Sequence, residues 1–87
     1  MVTKKLVIKN ALGLHMKPAS ILANEAAKCR SEVTIAVEDE IVNPKSILGI
    51  LVAAIGQGTE IELRCDGETE AEDLKRLSEL IEHGLGE

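Results

Sequence analysis

The strictest pattern in this chain is alternation. Val33, Ile35 and Val37 are interleaved with Glu32, Thr34 and Ala36, and Ile61, Leu63 and Cys65 with Glu60, Glu62 and Arg64. A two-residue period sends one set of side chains to a core and the other to water, so both stretches read as half-buried strands. Val2, Leu6 and Ile8 against Thr3, Lys5, Val7 and Lys9 predict another. Glu38-Asp39-Glu40 turns the chain after Val37, and Ile41-Val42 pairs back as the second arm of a hairpin. Asn43-Pro44 ends that arm because proline cannot extend the ladder.

Between the strands the period lengthens. Ala19, Leu22, Ala23, Ala26, Ala27 and Cys29 fall on one side of a helix, with Lys28 and Arg30 in its last turn. Ser46 has the form of an N-cap before Ile47-Leu48-Gly49-Ile50-Leu51-Val52, and Gly56-Gln57-Gly58 closes that short helix. It is apolar nearly all round, so it is either buried on every side or leaves an apolar face for a partner. Complete burial is hard in so small a domain, which favours a docking surface. Asp66-Gly67 turns into a last helix, with Thr69-Glu70-Ala71-Glu72 as a capping box and Ala71, Leu74, Leu77, Leu80 and Ile81 as its apolar stripe. Glu72 and Arg76 are spaced as an i,i+4 pair, and His83 before Gly84 suits the helix C-terminus. Four strands and three helices in this order predict one α+β domain over residues 1–87, a sheet with helices on one face and water on the other.

Composition narrows the function classes. The 87 residues include no aromatic side chain and carry a net charge of −5, so there is neither a ring for base stacking nor a basic surface for a phosphate backbone. No nucleic-acid partner is expected. Cys29 and Cys65 have no zinc spacing and form no CxxC motif, and read as buried thiols. Met1 to Lys5 runs straight into the first strand without a signal-peptide pattern, so a cytoplasmic location is expected. The apolar run from Ile47 to Ile55 is broken by Gly49 and too short to insert into a membrane. No metal or organic cofactor is implied.

The chemistry-bearing stretch is Gly13-Leu14-His15-Met16-Lys17-Pro18-Ala19-Ser20. Proline is tolerated in a first helical turn, where the N–H it lacks would have no intrahelical partner. The remaining donors, around Met16 and Lys17, point beyond the helix end and favour negative charge there. A histidine at that spot can act as a nucleophile, and phosphoryl transfer asks for positioning and charge stabilisation that backbone donors and one cation can supply. The same local pattern also suits a plain surface or capping histidine, and a first-turn lysine that is merely solvated.

Taken together, Gly13-Leu14-His15-Met16-Lys17-Pro18-Ala19, Asn43-Pro44-Lys45-Ser46-Ile47-Leu48-Gly49 and Gly56-Gln57-Gly58 resemble HPr, the histidine-containing phosphocarrier family of the bacterial phosphoenolpyruvate:sugar phosphotransferase system. The resemblance spans essentially the whole chain. It implies a four-stranded antiparallel sheet with three helices on one face, an open-faced β-sandwich. It implies that His15 accepts a phosphoryl group on Nδ1 from Enzyme I and passes it to sugar-specific components, with Lys17 and the Met16 amide holding the phosphoryl oxygens. It further implies Ser46 as a regulatory serine for an ATP-dependent kinase or phosphorylase, with a transcriptional regulator as a further partner. The docking face expected for such partners comprises Ser20, Ile47, Leu48 and Leu51. Such a carrier is not an enzyme with its own turnover.

Four residues depart from the family's usual pattern. Lys17 stands where arginine is usual and Met16 where alanine is; Pro44 stiffens the approach to Ser46, and Ala54 stands where glycine is common. Lysine offers a mobile point charge where arginine offers a two-pronged fork, so that exchange bears on transfer rate and partner choice. Two other readings follow: a regulatory paralogue acting mainly through Ser46-dependent binding with weak His15 transfer, and a metabolite-sensing domain binding at its sheet edge.

Overall fold

The computed structural model describes residues 1–87. Strands β1 (Val2–Val7), β2 (Glu32–Val37), β3 (Glu40–Val42) and β4 (Glu60–Asp66) form one antiparallel sheet in the order β1-β4-β2-β3. The two strands with the cleanest alternation are thus the two central ones, where the register is most tightly specified. Leu6 lies opposite Ile61, Val33 opposite Cys65, and Ile35 between Leu63 and Val42, all buried. On the water face Lys5 and Ala36 flank Glu62, whose carboxylate takes Arg64 Nε at 2.6 Å. Lys4 shares the core face with the buried Leu63 it pairs with, and its ammonium reaches Glu82 at 2.9 Å. A lysine stem can cover apolar surface while its head stays in water.

Helices α1 (Met16–Ala27), α2 (Ile47–Ala53) and α3 (Glu70–Glu82) cover the apolar face. On α1 the expected stripe of Ala19, Leu22, Ala23 and Ala26 is buried, and Cys29 follows it into the core. Ala27 is exposed instead, because the helix ends there and Lys28 is its C-cap. On α2 Ser46 is the N-cap, its hydroxyl oxygen accepting the Gly49 N–H at 3.0 Å, and only Ile50 is buried. Leu48 and Val52 are 71% and 75% exposed, so this helix does leave an apolar face open. Its C-cap, Ala54, is held at φ 52°, ψ 47°, a left-handed conformation that suits glycine better.

The start of α3 differs from expectation. No capping box forms: the Thr69 hydroxyl donates to Asp73 at 2.7 Å rather than accepting from a first-turn amide. The buried face is Asp73, Leu77, Ser78 and Ile81 with Leu74 and Leu80 partly covered, while Ala71 is exposed. Asp73 takes the inward position because three donors converge on one oxygen, Ser31 N–H at 3.2 Å and the Ser31 and Thr69 hydroxyls at 2.6 and 2.7 Å. Partial burial pushes the Asp73 carboxyl up, and these hydrogen bonds outweigh it, holding it below its usual range. Glu72 and Arg76 do not pair; the guanidinium reaches across to the Glu25 carbonyl at 3.0 Å and Cys29 Sγ at 3.5 Å, binding α3 to the end of α1. Both cysteines are free and buried, and burial pushes Cys65 up to about 11 and raises Cys29 as well, so neither is a reactive thiolate.

Candidate functional site

The approach to His15 is fixed by backbone contacts. Gly13 has φ +64°, and a Cβ there would run into the Ile55 carbonyl oxygen and Gly56 Cα, so only glycine fits. Its N–H closes a turn onto the Asn10 carbonyl at 2.9 Å, and Leu14, buried, donates to the Ile55 carbonyl at 2.9 Å. The loop is thereby pinned against the exit of α2 before the chain reaches His15.

His15 is the N-cap of α1, with extended backbone, and its carbonyl accepts the first intrahelical bond, from Ala19 N–H at 2.9 Å. Its side chain makes no capping hydrogen bond. The amides of Met16 and Lys17 precede that first bond, and Pro18 has no N–H, so two donors are left open at the helix end beside the ring. Lys17 is exposed and takes part in no ion pair, leaving its ammonium available to an anion. Met16 is 60% exposed, and its sulfur receives the Ser20 hydroxyl at 3.6 Å one turn on. Across on α2, which packs against α1, Ile47 and Leu48 are exposed, while Leu51 and Ser46 are half-buried.

Two residues at the ring escape a reading by sequence pattern. His15 Nε2 lies 2.8 Å from Glu87 Oε2, and the other Glu87 oxygen accepts from Asn10 Nδ2, also at 2.8 Å. Asn10 is buried and donates as well to the Gly84 carbonyl at 2.8 Å. The hydrogen bond from Asn10 does most to hold the Glu87 carboxyl below its usual range; partial desolvation opposes it, and His15 and Lys17 reinforce it. An ionised carboxylate only accepts, so Nε2 is the ring nitrogen that carries hydrogen in this contact, and in the neutral form of the ring Nδ1 keeps its lone pair.

Glu87 arrives there through the turn that ends α3. Gly84 N–H donates to the Ile81 carbonyl at 3.1 Å and Leu85 N–H to the Leu80 carbonyl at 2.9 Å, the double bond pattern of a Schellman cap. Gly84, Leu85 and Gly86 all have positive φ, and Leu85 is buried in the core as the apolar anchor of the turn. The available signal was Gly84-Leu85-Gly86 itself: a glycine, an apolar residue and a glycine just past a helix mark a chain that folds back. A pocket of about 510 Å³ lies between the Lys9–Leu12 loop and this turn, walled in part by Asn10, His83 and Glu87 but not by His15. The ring lies outside that pocket and its side chain is 35% exposed, within reach of another macromolecule.

Residues 2–83 match the protein family described as PTS HPr component phosphorylation site. The chain belongs to the HPr family. It is 38% identical over 87 residues to the phosphocarrier protein HPr of Xylella fastidiosa, covering 100% of this chain and 98% of that relative. It is 34% identical over 82 residues to the HPr-like protein Crh of Bacillus subtilis, covering 94% of this chain and 96% of Crh. Among solved structures, HPr-C-His from Thermoanaerobacter tengcongensis superposes with a TM-score of 0.95 at 37% identity, covering 100% of this chain and 98% of that one. The open-faced sheet under three helices is thus the HPr fold, and the chain is an HPr-type phosphocarrier of the phosphotransferase system.

Proposed function

We propose that this HPr accepts a phosphoryl group on His15 Nδ1 from Enzyme I and hands it to sugar-specific components of the phosphotransferase system, acting in the cytoplasm as a protein substrate at both ends of a relay. The observation that carries the reading is the state of the α1 N-terminus. A half-exposed imidazole that caps nothing stands next to two open amides and an unpaired lysine. Those donors can take the phosphoryl oxygens as charge develops on them, which is most of what phosphoryl transfer asks of a protein. Exposed Met16 and Leu48, with Ser20, Ile47 and Leu51, supply apolar and small polar surface for docking.

Ser46 is the second position in this reading, for a serine kinase and a regulator that senses its product. Phosphorylation would place about −1.5 to −2 charge at the start of α2. Phosphate oxygens can keep the bond to the Gly49 amide that the hydroxyl now makes, while the charge lies beside the exposed Ile47 and Leu48. A partner burying that face would have to desolvate it, so the modification weakens docking without unfolding the helix.

Incubation with phosphoenolpyruvate and Enzyme I tests the proposal. Acid-labile, base-stable phosphate is expected on the wild type and absent from His15→Ala. Failure of the wild type to label, while another HPr labels under the same conditions, refutes it.

A further inference from the structure

We propose that Met16 is a modification site: a peroxide oxidises its thioether to the sulfoxide and so weakens docking beside His15, and a dithiol-dependent reductase reverses the change. The inference rests on the phosphocarrier reading and adds to it a means of control by oxidant. Two cysteines and two methionines hold all the sulfur of this chain, and their surroundings differ. Cys29 and Cys65 are buried, and burial keeps both thiols in the neutral form that peroxides attack slowly. Met1 is 70% exposed but stands at the start of α3, where its ammonium pairs with Asp66 and Glu70. The 13 residues of that helix, about 20 Å, separate it from the turn that reaches His15. Met16 alone combines exposure, 60%, with a place next to the histidine, as the first residue of α1. Its sulfur also has a hydroxyl directed at it, Ser20 Oγ at 3.6 Å one turn along the helix.

The step is a two-electron oxidation. A sulfur lone pair attacks one oxygen of hydrogen peroxide, and the S–O bond forms as the O–O bond breaks. The departing hydroxide takes the proton from the transferred oxygen and leaves as water, so sulfur loses two electrons and the peroxide gains them. The Ser20 hydroxyl already at the sulfur can donate to the departing oxygen as negative charge develops on it, and afterwards to the sulfoxide oxygen. In the reverse direction the oxygen leaves as water while the reductase's dithiol becomes a disulfide. Oxidation makes an apolar side chain polar. A partner that docks over Met16 and Ser20 then has to desolvate an S=O group, whereas the His15 ring and the Met16 and Lys17 amides are unaltered. Docking is weakened and the transfer step is not.

Peroxide treatment, followed by peptide mass mapping and Enzyme I kinetics, tests the inference. One added oxygen is expected on Met16, formed faster than on Met1, and Ser20→Ala should slow the reaction at Met16 without slowing it at Met1. In phosphoryl acceptance from Enzyme I, the oxidised wild type should show a KM about tenfold higher with kcat kept, and methionine sulfoxide reductase should restore the starting value. Met16→Leu retains Met1 and both cysteines, so peroxide should leave its KM where it stood before treatment, whatever that value is. A KM unchanged by complete oxidation of Met16, or a rise of the same size in treated Met16→Leu, would overturn the inference, as would oxidation of Met1 ahead of Met16. If Enzyme I labels neither untreated nor oxidised wild type, the phosphocarrier reading fails and the switch with it; labelling of both with equal KM removes the switch alone.

Discussion

At one end of the α1–α3 pair Asp73 receives three hydrogen bonds on a single buried oxygen; at the other, Glu87 receives two, one on each oxygen, in a half-open position. The donors to Asp73 are a backbone amide and two hydroxyls, none of which titrates or reacts near neutral pH. One donor to Glu87 is the imidazole proposed to carry phosphate. The first carboxylate ties the start of β2 to α3. The second holds a ring whose charge would change in the proposed transfer, and it sits where solvent can reach it. Paired polar groups therefore have opposite uses in one small domain, and burial together with the chemistry of the donors tells them apart.

The comparison can be broken most forcefully at Asp73. Asp73→Ala strands the Ser31 amide and two hydroxyls and should cost about 3 kcal/mol in a denaturant titration. Glu87→Ala should move the same midpoint far less, and an equal loss at both ends would erase the distinction. Acid unfolding gives a second, smaller contrast. The Asp73 carboxyl lies below its usual range in the folded protein, so its stabilisation is complete above the unfolded value of about 4 and is lost as pH falls through the depressed folded value. Wild type should therefore lose stability below about pH 4, and Asp73→Ala should show a flatter acid limb. The smallest effect is expected away from both ends. Ala54→Gly relieves a left-handed alanine and should stabilise by about 1 kcal/mol, with no change in the His15 ring signals.

What the sequence made legible was local. Strand alternation put Val33, Ile35, Ile61 and Leu63 in the core, and the α1 stripe and the Ser46 cap follow from patterns within a few residues. The capping box at Thr69 does not form because the Thr69 backbone, at φ −109° and ψ 26°, is not in the extended cap conformation, and its hydroxyl points to Asp73. Asp73 was invisible to a polarity pattern, since its burial depends on Ser31, 42 residues earlier. The His15 site divides the same way. Gly13, His15, Lys17 and Pro18 stand together in the chain, whereas Asn10 and Glu87 meet only because α3 runs back along α1 and a left-handed turn returns the chain to the ring. Long-range polar contacts of this kind carry no periodicity, so pattern reading passes over them.

The central claim is the proposal that His15 takes the phosphoryl group on Nδ1, the ring nitrogen that does not face Glu87. NMR of the phosphorylated, 15N-histidine-labelled protein tests it directly, through the coupling between phosphorus and a ring nitrogen. The account predicts that coupling at Nδ1, with Nε2 still protonated. Phosphate on Nε2, or on no histidine at all, would contradict it.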